Sequence, residues 1–282
     1  MRSPRPKGPP TSRPELRSQI AELLAEAEVE AGPREADWLL EAAERRVSGD
    51  DDVERVALEL ADRRARGEPL QYVIGTAAFR HLELAVGPGV LVPRPETEVL
   101  VERALDRLPE DGAIVDVGTG SGAIALAIRH ERPDARVWAT DDSSEALRYA
   151  QDNRARLDLD VEILRGSLFE PLPGSMRGDF DVVVSNPPYV SKAETHLVGR
   201  DVLDHEPDHA VFAGRDGLSI VTELVRQTLP WLRPGGWLVC EIGHGQSDAV
   251  VELFEGAGFI HSGVHRDLAG WDRIVEGRKP PQ

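Results

Sequence analysis

From Ser12 to about Gly75 the apolar residues recur every three or four positions. Leu16, Ile20, Leu23 and Leu24 mark one face of a first helix. Ser12 and Glu15 stand in capping-box spacing at its start, with Pro14 tolerated in the first turn. A second helix is expected after Pro33, with Trp38, Leu39, Leu40 and Ala43 turned inward. A third carries Val53, Val56, Leu60 and Ala61 and stops near Gly67 and Pro69. Short helices of this kind make a small bundle, expected over residues 14–75. Phe79, Leu82, Leu84 and Val86 then alternate with more polar neighbours, as in a strand. Gly87-Pro88-Gly89 turns the chain into Val90-Leu91-Val92, which predicts a β-hairpin linker over 76–95.

From Glu96 to the end of the chain, 96–282, the rhythm becomes strand–helix–strand. The predicted strands are Ala113–Val117, Val137–Asp141, Val161–Leu164, Phe180–Ser185 and Trp237–Ile242. Each is a nearly continuous apolar run, as expected when helices cover both faces of a parallel sheet. Two short strand-like runs between Phe259 and Val275 would add an antiparallel edge. The fold class is therefore α/β, with a small helical bundle in front of it, and there are no internal repeats.

Composition narrows the class of partner. Of the 282 residues 40% are hydrophobic and 29% charged, which suits a globular protein with a sizeable core. The net charge of −17 argues against a broad grip on a nucleic-acid backbone, which is built from Lys and Arg. A basic protein partner fits better, and no direct nucleic-acid contact is expected. The single cysteine, Cys240, lies in an apolar run and is expected to act as a small buried hydrophobe. One thiol offers no internal disulfide, and no apolar stretch approaches the ~18 residues of a membrane span. The start, 1–13, sets Arg2, Arg5, Lys7 and Arg13 among prolines. It lacks the apolar core of a signal peptide and is expected to be a disordered tail. The expected compartment is the cytoplasm, with no membrane partner.

Two stretches carry candidate chemistry. Asp116-Val117-Gly118-Thr119-Gly120-Ser121-Gly122 ends the first strand of the α/β part and opens a helix. Its glycines allow a sharp bend and close approach of a ligand to a helix N-terminus. The spacing is neither that of a dinucleotide site nor that of a P-loop. Asp141 ends the next strand, where doubly wound folds place an acid on ribose hydroxyls. Its neighbour Asp142 is expected to turn to solvent. Together these residues favour an adenosine-containing cofactor. The second stretch is Val184-Ser185-Asn186-Pro187-Pro188-Tyr189, after the fourth strand. Two prolines remove N–H donors and leave carbonyls free to accept, Asn186 adds a side-chain carbonyl, and Tyr189 adds a flat face. A planar NH₂ group needs two acceptors for its two hydrogens, and such a clamp would aim its nitrogen at a methyl donor. No general base is required where the donor is already activated. The run His205-Glu206-Pro207-Asp208-His209 is expected to be a surface loop and not a metal site, because Pro207 spoils helical ligand spacing.

With those residues in hand, the chain resembles the release-factor glutamine methyltransferases, the HemK/PrmC family, over nearly everything after the first dozen residues. The resemblance is carried by Glu68-Pro69-Leu70-Gln71-Tyr72-Val73-Ile74-Gly75, by Leu91-Val92-Pro93-Arg94-Pro95-Glu96-Thr97-Glu98, by the glycine loop and by Asn186 to Tyr189. Glu241-Ile242-Gly243 and Asp267-Leu268-Ala269-Gly270 follow in the family's order. It implies a class I methyltransferase fold, a Rossmann-like seven-stranded sheet, with S-adenosylmethionine as cofactor. Gly118, Thr119, Gly120, Ser121 and Gly122 would hold the methionine part and Asp141 the ribose. Leu168, where the family often has an aromatic residue, would border the adenine, and Asn186 would face both cofactor and substrate. Asn186 and the Pro187 carbonyl would clamp the substrate amide beside Pro188 and Tyr189, with Asn186, Pro187 and Tyr189 as the catalytic set. The N-terminal helices would help dock a peptide chain release factor, whose Gly-Gly-Gln loop enters the pocket. The family's usual arginine after Gly270 is displaced to Arg273. A ribosomal-protein glutamine methyltransferase shares Asn-Pro-Pro-Tyr, but the Pro93–Glu98 segment speaks against it. A nucleic-acid adenine-N6 methyltransferase would carry a basic recognition region that is missing here. A non-catalytic adaptor is disfavoured by the presence of both motifs.

Overall fold

Residues 12–47 and 49–281 are described by a computed structural model. The expected tail lies outside them except for Ser12 and Arg13, and Arg13 already belongs to a helix. The chain divides into two units, one running to Gly75 and taking in Arg200–His205, the other holding Thr76–Gly199 and Glu206–Gln282.

The first unit contains helices α1 (Arg13–Glu26), α2 (Gly32–Arg46), α3 (Asp50–Ala65) and α4 (Leu70–Ile74). The Ser12 N–H donates to Glu15 Oε2 at 3.0 Å, so the capping box forms as the spacing predicts. Leu16, Ile20 and Leu24 of α1 pack with Leu39, Leu40 and Ala43 of α2 and with Ala57, Leu60 and Ala61 of α3. Trp38, expected inside, is 42% exposed. Ala36, Leu39, Leu40 and Ala43 already complete a stripe at helical spacing, and position 38 falls roughly opposite it at about 100° per residue. Val53 and Val56 are only half-buried. Arg64 of α3 ties to the buried Glu35 of α2 at 2.6 Å.

The second unit opens on a hairpin of β1 (Thr76–Phe79) and β2 (Leu82–Ala85), paired from Thr76↔Ala85 to Phe79↔Leu82. The hairpin turn is Arg80-His81, not Gly87–Gly89 as the sequence suggested. Arg80 adopts φ +49, a cost for a residue with a side chain. It is held there by bonds from its N–H to Glu98 Oε1 (2.9 Å) and from its guanidinium to Glu131 Oε2 (2.7 Å). Gly87–Val92 instead forms an irregular run whose Val90 and Val92 are buried.

Then follow α5 (Thr97–Arg107), β3 (Ala113–Val117), α6 (Ala123–Glu131), β4 (Arg136–Asp141), α7 (Ser144–Leu157), β5 (Val161–Arg165) and β6 (Phe180–Ser185). The chain continues through α8 (Arg200–His205), α9 (Asp208–Val211), α10 (Ser219–Thr228), β7 (Leu232–Glu241), α11 (Ser247–Ala257), β8 (Ile260–Arg266) and β9 (Asp272–Arg278). Seven strands form one sheet in the order β5-β4-β3-β6-β7-β9-β8, parallel except for β9, which runs antiparallel to both its neighbours. Alternate residues of β6 feed opposite faces. Val182 and Val184 join Leu100, Leu126 and Ile128 on one side, while Val183 joins Leu224, Phe254 and Cys240 on the other. Both faces are thus covered, which is why these strands lack polar alternation. The Cys240 thiol is fully buried and its pKa is pushed up by desolvation, as fits a core hydrophobe. Among the described residues no helix is long and apolar enough to cross a membrane. The strand order reverses between β3 and β6, and the carboxyl ends of strands at such a switch point are where open α/β sheets gather ligands.

Candidate active site

A cavity of about 260 Å³ opens at that switch point, walled by Gly118, Thr119, Gly120, Asp141, Leu168, Asn186, Pro187 and Pro188 among others. The glycine loop after β3 is shaped by three left-handed residues, Gly118 at φ +77, Gly120 at φ +58 and Gly122 at φ +85. Gly118 and Gly120 stand on the cavity wall. A Cβ on Gly118 would meet no protein atom within 4 Å and would project into open space that a ligand can use. Gly122, expected beside the cofactor, does not line the cavity: a Cβ there would come to 2.9 Å from Leu126 Cδ1 and 3.4 Å from Ala150. It is required for packing α6 closely against α7.

Buried polar groups hold the loop in place. The N–H groups of Gly118 and Thr119 both donate to the Thr140 carbonyl of β4. Asp116 accepts from Thr119 Oγ1 at 2.5 Å and from the Ala125 N–H at 3.2 Å. Burial pushes the Asp116 carboxyl up to about 7, against the pull of those two bonds. Asn153 of α7 accepts from the Ala85 N–H at 2.6 Å and donates to the carbonyls of Ala85 and Ser121, stitching the hairpin to the loop. Nothing in the sequence around Asn153 signals this role.

Asp141 reaches the cavity from the end of β4. Its Oδ2 accepts from the Gly120 N–H at 2.8 Å and its Oδ1 from the Ser143 N–H at 2.9 Å. Burial raises its pKa while those two bonds oppose the rise. Asp142 also touches the cavity wall but is exposed. Leu168 is on the wall at φ +48, and its carbonyl accepts from Thr140 Oγ1 at 2.7 Å.

Asn186, also on the cavity wall, follows β6, and its Nδ2 donates to Thr97 Oγ1 at 3.1 Å. Thr97 is the buried first residue of α5, and Glu241 at the end of β7 is buried as well. Tyr189 is not among the cavity-lining residues. Its hydroxyl turns back to Glu241 Oε1 at a long 3.5 Å, and its carbonyl accepts from Gln246 Nε2 at 3.0 Å. Burial and the nearby Glu241 push the phenol up to about 12. Thr97 and Glu241 both lie in family-specific segments, yet residue type alone gave neither a role.

The run from His205 to His209 is not a surface loop. Glu206 has a side chain only 1% exposed and accepts from Arg94 Nη2 at 2.6 Å, while Arg94 and His209 line the cavity. A pairing across 112 positions leaves no local trace in the sequence. Among the described residues no group of three or more His, Cys, Asp or Glu could hold a metal ion.

The methyltransferase small domain family matches residues 95–215, a span that holds the glycine loop, Asp141 and Asn186 to Tyr189. The release factor glutamine methyltransferase of Geobacter sulfurreducens is 42% identical over 272 residues, covering 90% of this chain and 92% of its own length. The protein of the same name from Koribacter versatilis is 44% identical over 79% of each chain. The chain belongs to the release factor glutamine methyltransferase family. A solved methyltransferase from Pyrococcus furiosus shares the fold, with a TM-score of 0.53 at 20% identity over 72% of this chain and 91% of its own. Membership makes this chain an enzyme of the class I methyltransferase fold, and the seven-stranded sheet has the topology that fold requires.

Proposed function

We propose that this enzyme transfers a methyl group from S-adenosylmethionine to the side-chain amide nitrogen of a glutamine in peptide chain release factors, in their Gly-Gly-Gln loop. The observation that carries this reading is Asn186, anchored through Nδ2 on the wall of the cavity that the glycine loop also lines. The methyl donor is S-adenosylmethionine, and the site suits it: open space stands beyond Gly118, and Asp141 keeps a second lone pair on each oxygen for ribose hydroxyls. Gly118, Thr119, Gly120 and Ser121 would hold its methionine part and Leu168 would border its adenine. When bound, it supplies a methyl group on a positively charged sulfur, already activated for transfer.

The protein's own contribution is then positional. Asn186 Oδ1 accepts one hydrogen of the substrate amide and the Pro187 carbonyl accepts the other, while Pro187 and Pro188 bring no N–H to compete. Fixing both hydrogens removes rotation about the reacting nitrogen, a gain realised at transfer. Tyr189 serves from behind the wall by fixing the segment that carries Asn186. The release factor is the protein partner, the N-terminal helices help to dock it, and the compartment is the cytoplasm.

Single-turnover kinetics with saturating cofactor and release factor test the clamp. Asn186→Ala should slow the chemical step by about two orders of magnitude or more, while Asn186→Asp, which keeps an acceptor, retains part of it. A near-normal rate in Asn186→Ala would overturn this reading.

A further inference from the structure

The Asn186–Tyr189 segment has little with which to fasten itself to the sheet. Pro187 and Pro188 have no N–H to give, and their fixed φ makes the backbone between Asn186 and Tyr189 a stiff piece. Its position is therefore decided at its two ends. At the start the Ser185 hydroxyl donates to the Val117 carbonyl at 2.6 Å, and Asn186 Nδ2 donates to Thr97. At the far end the Tyr189 carbonyl accepts from Gln246 Nε2 at 3.0 Å.

We propose that Gln246 is a positioning residue that fixes the far end of this segment and so sets the Pro187 carbonyl at the cavity wall. The inference rests on the reading of that carbonyl as one acceptor for the substrate amide. Gln246 Oε1 accepts from the Gly243 N–H at 2.8 Å while its Nε2 donates to the Tyr189 carbonyl. A backbone N–H only donates and a backbone carbonyl only accepts, so the amide has one orientation in which both bonds form. The space around the bridge leaves no room for anything larger than glycine. A Cβ on Gly217, at φ +74, would collide with the Tyr189 carbonyl oxygen and stand 2.7 Å from Gln246 Nε2. One on Gly243 would stand 2.9 Å from Gln246 Oε1 and 3.1 Å from Tyr189 Cδ2. Either would push the bridge apart.

Helix stability does not account for a glutamine here. Gln246 is the N-cap of α11, yet its side chain makes no capping bond. A serine, threonine or aspartate in that place would accept from the first turn and stabilise the helix more. The turn is closed by the Gln246 N–H on the Gly243 carbonyl at 3.2 Å, and it aims the longer side chain at Tyr189 instead. Glutamine spans the gap and carries both the donor and the acceptor that the two backbones need.

The test is kinetic, in the full-length enzyme on intact release factor with saturating S-adenosylmethionine. Gln246→Glu keeps the size and the acceptor for Gly243 but, once ionised, sets an oxygen against the Tyr189 carbonyl. At neutral pH kcat should fall by about tenfold or more, with affinity for S-adenosylhomocysteine near the wild-type value. Its activity relative to wild type should rise as the pH falls toward the glutamate pKa of about 4.3, because a protonated carboxyl can again donate to the carbonyl. Gln246→Ser caps α11 and should keep Tm, yet it cannot reach Tyr189, so it should lose kcat equally and show no such recovery. Wild-type kcat in either variant, a loss that tracks cofactor affinity or Tm, or the same pH profile in both would overturn the inference. A near-normal Asn186→Ala would instead sink the clamp itself, whatever Gln246 does. If Gln246→Glu fails to fold, the kcat and Tm of Gln246→Ser decide the matter alone.

Discussion

Asp141 is proposed to do two jobs with one carboxylate. It holds the Gly120 and Ser143 backbones, and its remaining lone pairs face the cavity where a ribose would lie. Asp141→Ala should weaken S-adenosylhomocysteine binding by about 1–3 kcal/mol, the scale of lost hydrogen bonds in a partly buried site. The exposed Asp142 supplies the control, since Asp142→Ala should change affinity little. Calorimetry showing equal affinity in wild type and Asp141→Ala would mean that another residue holds the ribose. At this scale the residues that reach the cavity wall were legible where a motif fixes them, as for Asp141 at a strand's end and Asn186 before two prolines. Residues that act from behind were not. Thr97, Glu241 and Asn153 gain their roles from partners 89, 52 and 68 positions away. Gly122 misled for a related reason: a glycine that admits a ligand and one that admits a neighbouring helix look alike in a sequence.

The β1–β2 hairpin shows how an element is placed by a single side chain. Asn153 satisfies both the N–H and the carbonyl of Ala85 and then reaches Ser121 in the glycine loop. Asn153→Ala leaves these groups unpaired in a buried place and should cost about 1–3 kcal/mol of stability, read as a lower midpoint in urea. An unchanged midpoint would show that the hairpin is held by its apolar contacts alone. The strands of the sheet could be read from the sequence because burial on both faces makes each a continuous apolar run. The hairpin turn could not be placed: Gly87-Pro88-Gly89 carries the usual turn residues, whereas Arg80-His81 turns only because Glu98 and Glu131 stabilise Arg80. The exposed Trp38 and the buried Glu206 reversed the common burial preferences of their residue types.

At the level of the whole molecule, the proposed chemistry and the proposed recognition fall to different units. The cavity is lined by residues of the second unit, and the helices before Gly75 contribute none of the groups that line it. A chain starting at Thr76 should still bind S-adenosylhomocysteine but lose activity on intact release factor. Full activity of that truncation on the intact factor would contradict a docking role for the helices. The α/β class and the change of rhythm near Glu96 were legible from periodicity. The grouping of Arg200–His205 with the first unit was not, since it depends on packing between distant segments. The central claim concerns one nitrogen atom, and tandem mass spectrometry of a release factor incubated with enzyme and S-adenosylmethionine tests it most directly. The predicted result is one added methyl group on the side-chain nitrogen of the Gly-Gly-Gln glutamine, and none on a factor in which that glutamine is changed to glutamate. A methyl group on any other residue, or an unmodified glutamine after incubation with cofactor-bound enzyme, would contradict it.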